Sequence, residues 1–143
     1  MNTMLMISAV KIAKYLIYEI VQKMKREGMD MEEFDVTLSR LQKLLYYCNG
    51  YSLAYTGGKI FEDTIEVKNN LPFIESVYQE YKEYDGNVVP FDDVEDIDFE
   101  DVDETRRLII RRVSCDKIYW SDYALTYQIE RDRPWPDCLI ARK

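Results

Sequence analysis

From Ser8 to about Arg26 the apolar residues Val10, Ala13, Ile17, Ile20 and Met24 recur at spacings of three and four. That repeat predicts an amphipathic helix. Ile12, Leu16 and Val21 widen the stripe, so the helix is expected to be well buried. Ser8 is placed to cap its first turn, and Gly28 to end it. A second helix is predicted from Thr37 to about Tyr55, with Thr37 as N-cap and Leu38, Leu41, Leu44, Leu45, Cys48 and Leu53 as its apolar face. Gly57-Gly58 stops it, because glycine adopts the left-handed conformation past a helix end without penalty. Gly50 inside that helix costs about 1 kcal/mol against alanine and points to a close helix crossing.

Beyond the second helix the pattern shortens. Ile60-Phe61 and Ile65 to Val67 are short apolar pieces about a polar turn, which predicts a small hairpin. Asn70 offers a cap, with Pro72 at the early helical positions that tolerate proline. The helix that follows carries Ile74, Val77, Tyr78, Tyr81 and Tyr84 on one side and stops at Asp85-Gly86-Asn87. A fourth helix is expected from near Asp103, with acids at its start and arginines toward its end, as the helix dipole favours. A fifth spans Ser121 to Glu130, and Pro134 and Pro136 keep the tail around Trp135 irregular. The expected fold is mainly α: a single compact helical domain over residues 1–143, of about five helices, with a small β-hairpin between helices two and three.

Charge changes this picture in one region. The net charge is −8, but residues 92–104 alone hold nine acids (Asp92, Asp93, Glu95, Asp96, Asp98, Glu100, Asp101, Asp103, Glu104) and no base. A block of like charge is usually a solvated loop or an interaction segment. The interleaved Phe91, Val94, Ile97, Phe99 and Val102 would let it dock on a surface. A calcium loop starting at Asp96 fails: its sixth position is Asp101 where a sharp turn needs glycine, and its twelfth is Arg107 where a bidentate Glu is needed. Nucleic acid is disfavoured as a partner, because an acidic surface repels phosphates. The basic cluster Arg106, Arg107, Arg111 and Arg112 abuts the acidic run and is expected to offset carboxylates there.

The chain has no histidine and three cysteines, Cys48, Cys115 and Cys138, with no CxxC pair. No Ser-His or Cys-His nucleophile pair can be assembled from it, nor a histidine-bearing zinc site. Three scattered cysteines fall one short of a four-thiolate set, so no metal or other cofactor is expected. Gly58-Lys59 is not a phosphate loop, since the earlier glycine of that motif falls at Leu53. Carboxylate chemistry stays open, but no spacing predicts a catalytic pair. No apolar run reaches the roughly 20 residues of a membrane helix. Met1 to Val10 lacks the basic start of a secretory signal, and the expected location is the cytoplasm.

Tyrosine is abundant, with twelve in all. Most are expected to line the core with their hydroxyls outward. Tyr47, Tyr51 and Tyr55 stand four apart, and exposed tyrosines suit partner recognition because an apolar ring carries a hydrogen-bonding tip.

From Leu41 the chain reads LQKLLYYCNGYSLAYTGGKIF, which resembles the Panacea-type antitoxin domain, whose hallmark is an LQKLLYYAQG-like helix before a GKPLF-like turn. Val10 to Tyr18 resembles that family's opening helix. Ile65-Glu66, Pro72, Val77-Tyr78 and Glu80-Tyr81-Lys82 are similar to its middle stretch, and Leu125-Thr126 with Pro134-Trp135 to its tail. The likeness covers nearly the whole chain except the acidic run. Lys68 stands where the family usually has Trp, Leu71 where it has Gly, and Tyr127 where it has His. The resemblance implies a non-enzymatic protein that neutralises a cognate toxin by contact, in one reading also presenting it to a host protease. The alternative is a phage- or prophage-encoded regulator that binds a host protein. On the antitoxin reading, Tyr51, Tyr55 and Trp135 are candidate anchors, and Asp96, Asp98, Glu100 and Asp101 would steer a small basic toxin.

Overall fold

The computed structural model describes residues 6–30, 36–91 and 93–132. Five α-helices carry the architecture of these residues: α1 (Ala9–Glu27), α2 (Leu38–Thr56), α3 (Glu75–Tyr81), α4 (Glu104–Lys117) and α5 (Asp122–Arg131). A two-stranded antiparallel sheet of β1 (Glu66–Lys68) and β2 (Leu71–Phe73) lies between α2 and α3. The chain is mainly α, as its periodicity predicts.

The caps are largely those the sequence offers. The Ser8, Thr37, Asp103 and Ser121 side chains each accept a hydrogen bond from the backbone N–H three residues on. Each satisfies one of the orphan donors of a first turn. At the end of α1, Gly28 takes φ +67°, its N–H donates to the Lys25 carbonyl, and Met29 N–H donates to that of Met24. This is the paired arrangement of a Schellman motif.

The hairpin departs from expectation. Ile60 and Phe61 form no strand. They are buried in the core, with Ile60 N–H donating to Asn49 Oδ1 at 3.1 Å and its carbonyl accepting from Arg106 Nε at 2.8 Å. The sheet forms later, in the register Glu66↔Phe73, Val67↔Pro72 and Lys68↔Leu71. Its turn is Asn69-Asn70, with φ of 52° and 64°. Two positive φ values in a two-residue loop are what a tight antiparallel hairpin requires, and asparagine tolerates them better than most residues. Pro72 is therefore a strand residue, at the pair that does not exchange ladder hydrogen bonds, where a missing N–H costs nothing. Asn70 belongs to the turn rather than to a helix cap, and Leu71 opens a strand. The N-cap of α3 is Ile74, which has no capping side chain of its own.

α4 packs against both α1 and α2, while α3 contacts α1 and α2, and α5 contacts α2. Ile12, Leu16, Ile17, Leu41, Leu44, Leu45, Ile110 and Val113 are essentially without exposure. Each such side chain stabilises the fold by about 1.5–3 kcal/mol relative to exposure, well above the ~0–1 kcal/mol of a surface ion pair. Packing, not surface charge, holds the helices together. Polar groups fix how they are placed. Glu19, 5% exposed, accepts from Tyr15 Oη at 2.7 Å and from Arg111 Nε at 3.3 Å, tying α1 to α4. Asp63 accepts from Ala9 N–H at 2.7 Å and from Ser76 Oγ at 2.5 Å, tying the starts of α1 and α3 together.

From Asp93 onward the acidic run packs against α1. Val94, Phe99 and Val102 are buried in the core, and Phe91 and Ile97 pack half-buried beside it. Phe99 meets Tyr15 edge-on at 5.1 Å and Tyr18 at 5.4 Å. The backbone is held by cations: Lys11 Nζ donates to the Asp98 carbonyl at 2.6 Å, and Arg107 donates to those of Val102 and Phe99 at 2.7 and 2.6 Å. Glu95 pairs with Lys25 and accepts from Gln22. The segment works as a strap whose apolar residues face in and whose acids face out.

A candidate partner-binding groove between α2 and α4

The C-terminal turns of α2 and the first half of α4 border a groove of about 300 Å³, lined by Tyr55, Thr56, Thr105, Leu108, Ile109 and Arg112. Its position follows from the helical repeat. On α4, Ile109, Ile110 and Val113 enter the core, so Leu108 and Arg112, one turn apart, fall on the outer flank toward α2. Tyr55 is 66% and Leu108 57% exposed, although both are large and apolar. Removing two such side chains from water is the kind of gain a protein partner supplies.

The groove's polar end is a short network. Tyr51 Oη donates to Asp116 Oδ2 at 2.8 Å, and Arg112 Nε approaches the same oxygen at 3.4 Å. The Tyr51 ring meets that of Tyr55 at 6.3 Å, nearly perpendicular. Burial and then the Asp116 hydrogen bond push the Tyr51 phenol up to about 12. The Arg112–Asp116 pair is solvent-exposed and of a class worth ~0–1 kcal/mol. Among the described residues nothing else pairs with Arg112.

The structure brings only some of the candidate residues together. Tyr51 and Tyr55 stand side by side at the groove. Asp96, Asp98, Glu100 and Asp101 are exposed but belong to the strap on the other flank of α4, where Arg107 and Arg111 face α1. Asp101 is 3.6 Å from Lys11, and Asp98 Oδ1 accepts from Glu100 N–H at 2.9 Å. Trp135 lies outside the described residues. Three of the cluster's arginines are taken up internally, Arg106 by Asp103 and the Ile60 carbonyl, Arg107 by the strap and Arg111 by Glu19, while Arg112 meets Asp116 through Nε alone.

Sequence reading missed Leu108 and the groove role of Arg112. The available signal was Leu108's position beside the Ile109–Ile110–Val113 stripe, where an apolar residue has no core to enter. It also missed a second aromatic face on α5, where Tyr123 is 82% and Tyr127 55% exposed. The tyrosines otherwise divide by depth. Only Tyr15, Tyr46, Tyr47 and Tyr81 are buried, fewer than the expected majority in the core, and the Tyr47 hydroxyl, enclosed with no partner among the described residues, is an exception to the outward pattern.

A family model described as antitoxin SocA-like, Panacea domain, matches residues 41–118, more than half of the chain. The chain belongs to this family. No curated protein and no solved structure matches it significantly. The Panacea match opens on α2 and closes at the end of α4, so it takes in the groove and also the acidic strap, which the motif likeness left aside. It gives the polar residues of the LQKLLYYCNGYSL stretch a structural reading. Gln42 binds the backbone of Ile74, Lys43 reaches Asp122 at 2.5 Å, Asn49 holds Ile60 N–H, and Ser52 Oγ donates to the Gly58 carbonyl at 2.7 Å. Those four are buried and serve to fasten the Panacea fold. The exposed residues that follow, from Ala54 to Gly57, are the ones a partner can reach.

The three departures from the Panacea pattern sit at the surface of the hairpin and α5. Lys68 Nζ lies 4.4 Å from the Phe73 ring centre, a cation–π contact across the hairpin. Leu71 pairs with Lys68, and the exposed Tyr127 ring faces Arg131 at 5.7 Å.

Proposed function

We propose that this protein is an antitoxin that neutralises a cognate protein toxin by direct contact, without catalysis, using the groove between α2 and α4. Membership of the Panacea family supports the antitoxin class. The observation that carries the site is the exposed Tyr55–Leu108 pair at a groove inside the matched segment. In this reading Tyr51 orients Tyr55 and Arg112, Trp135 is a further anchor, and the outward acids of the strap steer a small basic toxin toward the surface. α1 and α5 complete one domain around the matched segment. The interface would bury about 1,200–2,000 Å². Presentation of the captured toxin to a host protease is a further step, supported by family likeness alone.

The test is co-expression with any small protein encoded beside this gene, together with affinity capture from the native host and a salt wash. Restored growth and near-equal recovery of that neighbour are expected, and both are lost in the Tyr55→Ala/Leu108→Ala double variant. Toxicity that persists whether or not the protein is present overturns the reading. Recovery of a host protein instead favours the regulator.

A further inference from the structure

We infer that the groove takes one apolar side chain of the partner together with a carboxylate beside it; who the partner is rests on the antitoxin reading above. About 300 Å³ is the small end of the range for binding pockets. It suits a single anchor rather than a whole helix, in the manner of an interface hot spot. The floor is Ile109, 4% exposed, and the walls are Tyr55 and Leu108, all apolar surfaces. One cation, Arg112, stands at this lining.

Charge selects the second half of the ligand. Arg112 spends only Nε on Asp116, so its terminal amino groups remain for an incoming acceptor among the described residues. A guanidinium fork matches a carboxylate in two parallel hydrogen bonds. Asp116 would not be orphaned by the exchange, because the Tyr51 hydroxyl holds it at 2.8 Å. A lysine or arginine at this place in the partner would meet the guanidinium with like charge. A phosphate, with about twice the charge of a carboxylate, would need more than the one cation present. A toxin that is basic overall can still carry this local pairing, since net charge governs approach and the anchor governs docking.

The experiment is an amide NMR titration of the full chain with two probes, N-acetyl-L-phenylalanine and its carboxamide, repeated with Arg112→Gln and Leu108→Gln. Both replaced side chains are exposed, and an unchanged melting temperature verifies that each variant folds. The acid is expected to shift Tyr55, Thr56, Leu108, Ile109 and Arg112 and to bind about three- to tenfold more tightly than the amide, the margin of an exposed charge-assisted pair. Arg112→Gln removes that margin, and Leu108→Gln weakens both probes. Equal binding of acid and amide, or shifts confined elsewhere, overturns the inference. The two readings fail separately. Toxin capture that is unaffected by Arg112→Gln and Leu108→Gln overturns the groove and leaves the antitoxin standing. Acid-selective binding without toxin rescue does the reverse.

Discussion

Gln42 grips Ile74 with both ends of its amide: Nε2 donates to the Ile74 carbonyl at 3.2 Å, and Oε1 accepts from the Ile74 N–H at 3.0 Å. Ile74 is fully buried and is the N-cap of α3 without a capping side chain; Gln42 pairs the backbone of that residue itself, its Oε1 taking the Ile74 N–H as the returning half of a capping box would. Gln42→Ala leaves two buried backbone groups short of a partner, at about 1–3 kcal/mol for each group unpaired. The Ile74 carbonyl keeps its bond from Tyr78 N–H, which places the total near ~2–4 kcal/mol. The melting temperature should fall by roughly 5–15 °C. Hydrogen exchange at the Ile74 amide should quicken. An unchanged exchange rate there would show that the clamp contributes nothing.

This clamp also marks how far the sequence could be read. The helices α1 and α2 were legible by their apolar faces and their Ser8 and Thr37 caps, and α4 by acids at its start and arginines toward its end, and those are local signals. α3 was legible by its stripe of Ile74, Val77 and Tyr81, but its start was not, since its N-cap Ile74 carries no capping side chain and is fixed by Gln42, 32 positions away. The hairpin was misplaced because Asn70-Leu71-Pro72 reads equally as cap and first turn. Only the positive φ of both Asn69 and Asn70 shows which reading won. Of the candidate site, residue type pointed to Tyr51 and Tyr55, whereas Leu108 showed only as an apolar position beside the core stripe of α4, and its place with Arg112 at the groove emerges once α4 is laid against α2.

The turn itself gives a prediction. Asn69 sits at φ 52°, in the region where a β-branched residue pays roughly 1–2 kcal/mol. Asn69→Val should lower stability by about that amount, and Asn69→Gly should come close to wild type. Urea midpoints of the two variants decide the matter, and equal midpoints would count against the turn assignment.

Alkaline pH should unfold the protein through its buried phenols. Tyr15 is pushed up from 10.0 to about 12, first by burial and then by its hydrogen bond to Glu19. Tyr46 is likewise pushed up to about 12, chiefly by burial. An unfolded chain loses these protons near pH 10 while the native state keeps them to about 12. Above 10 the native state therefore holds more protons than the unfolded one, and stability falls with rising pH. The contribution is complete below pH 10 and is lost progressively between 10 and 12. Tyr15→Phe should show a shallower alkaline fall, starting from a lower neutral-pH stability because Glu19 loses a donor. An identical slope in both proteins would refute the assignment to Tyr15.

The acidic strap separates structure from steering cleanly enough to test one without the other. Its hold on α1 and α4 comes from buried Val94, Phe99 and Val102 and from backbone carbonyls bound by Lys11 of α1 and Arg107 of α4, far more than from the carboxylates of Asp96, Asp98, Glu100 and Asp101. Replacing the three aspartates by Asn and the glutamate by Gln should therefore leave the melting temperature within a few degrees. With Asp98→Asn, the side-chain amide oxygen can still accept from the Glu100 N–H as the carboxylate does. The lost Asp101–Lys11 pair is an exposed one worth ~0–1 kcal/mol. Four negative charges disappear all the same. If the strap steers a basic toxin, association should slow severalfold at low salt, and the deficit should close as ionic strength rises and the Debye length shrinks to about 8 Å at 0.15 M. Lys11→Met does the opposite, loosening the strap with all its acids intact, and should accelerate exchange at the Phe99 and Val102 amides. Equal association rates at low salt for the fourfold variant and the wild type would leave the strap a purely structural element, with its acids merely solvated.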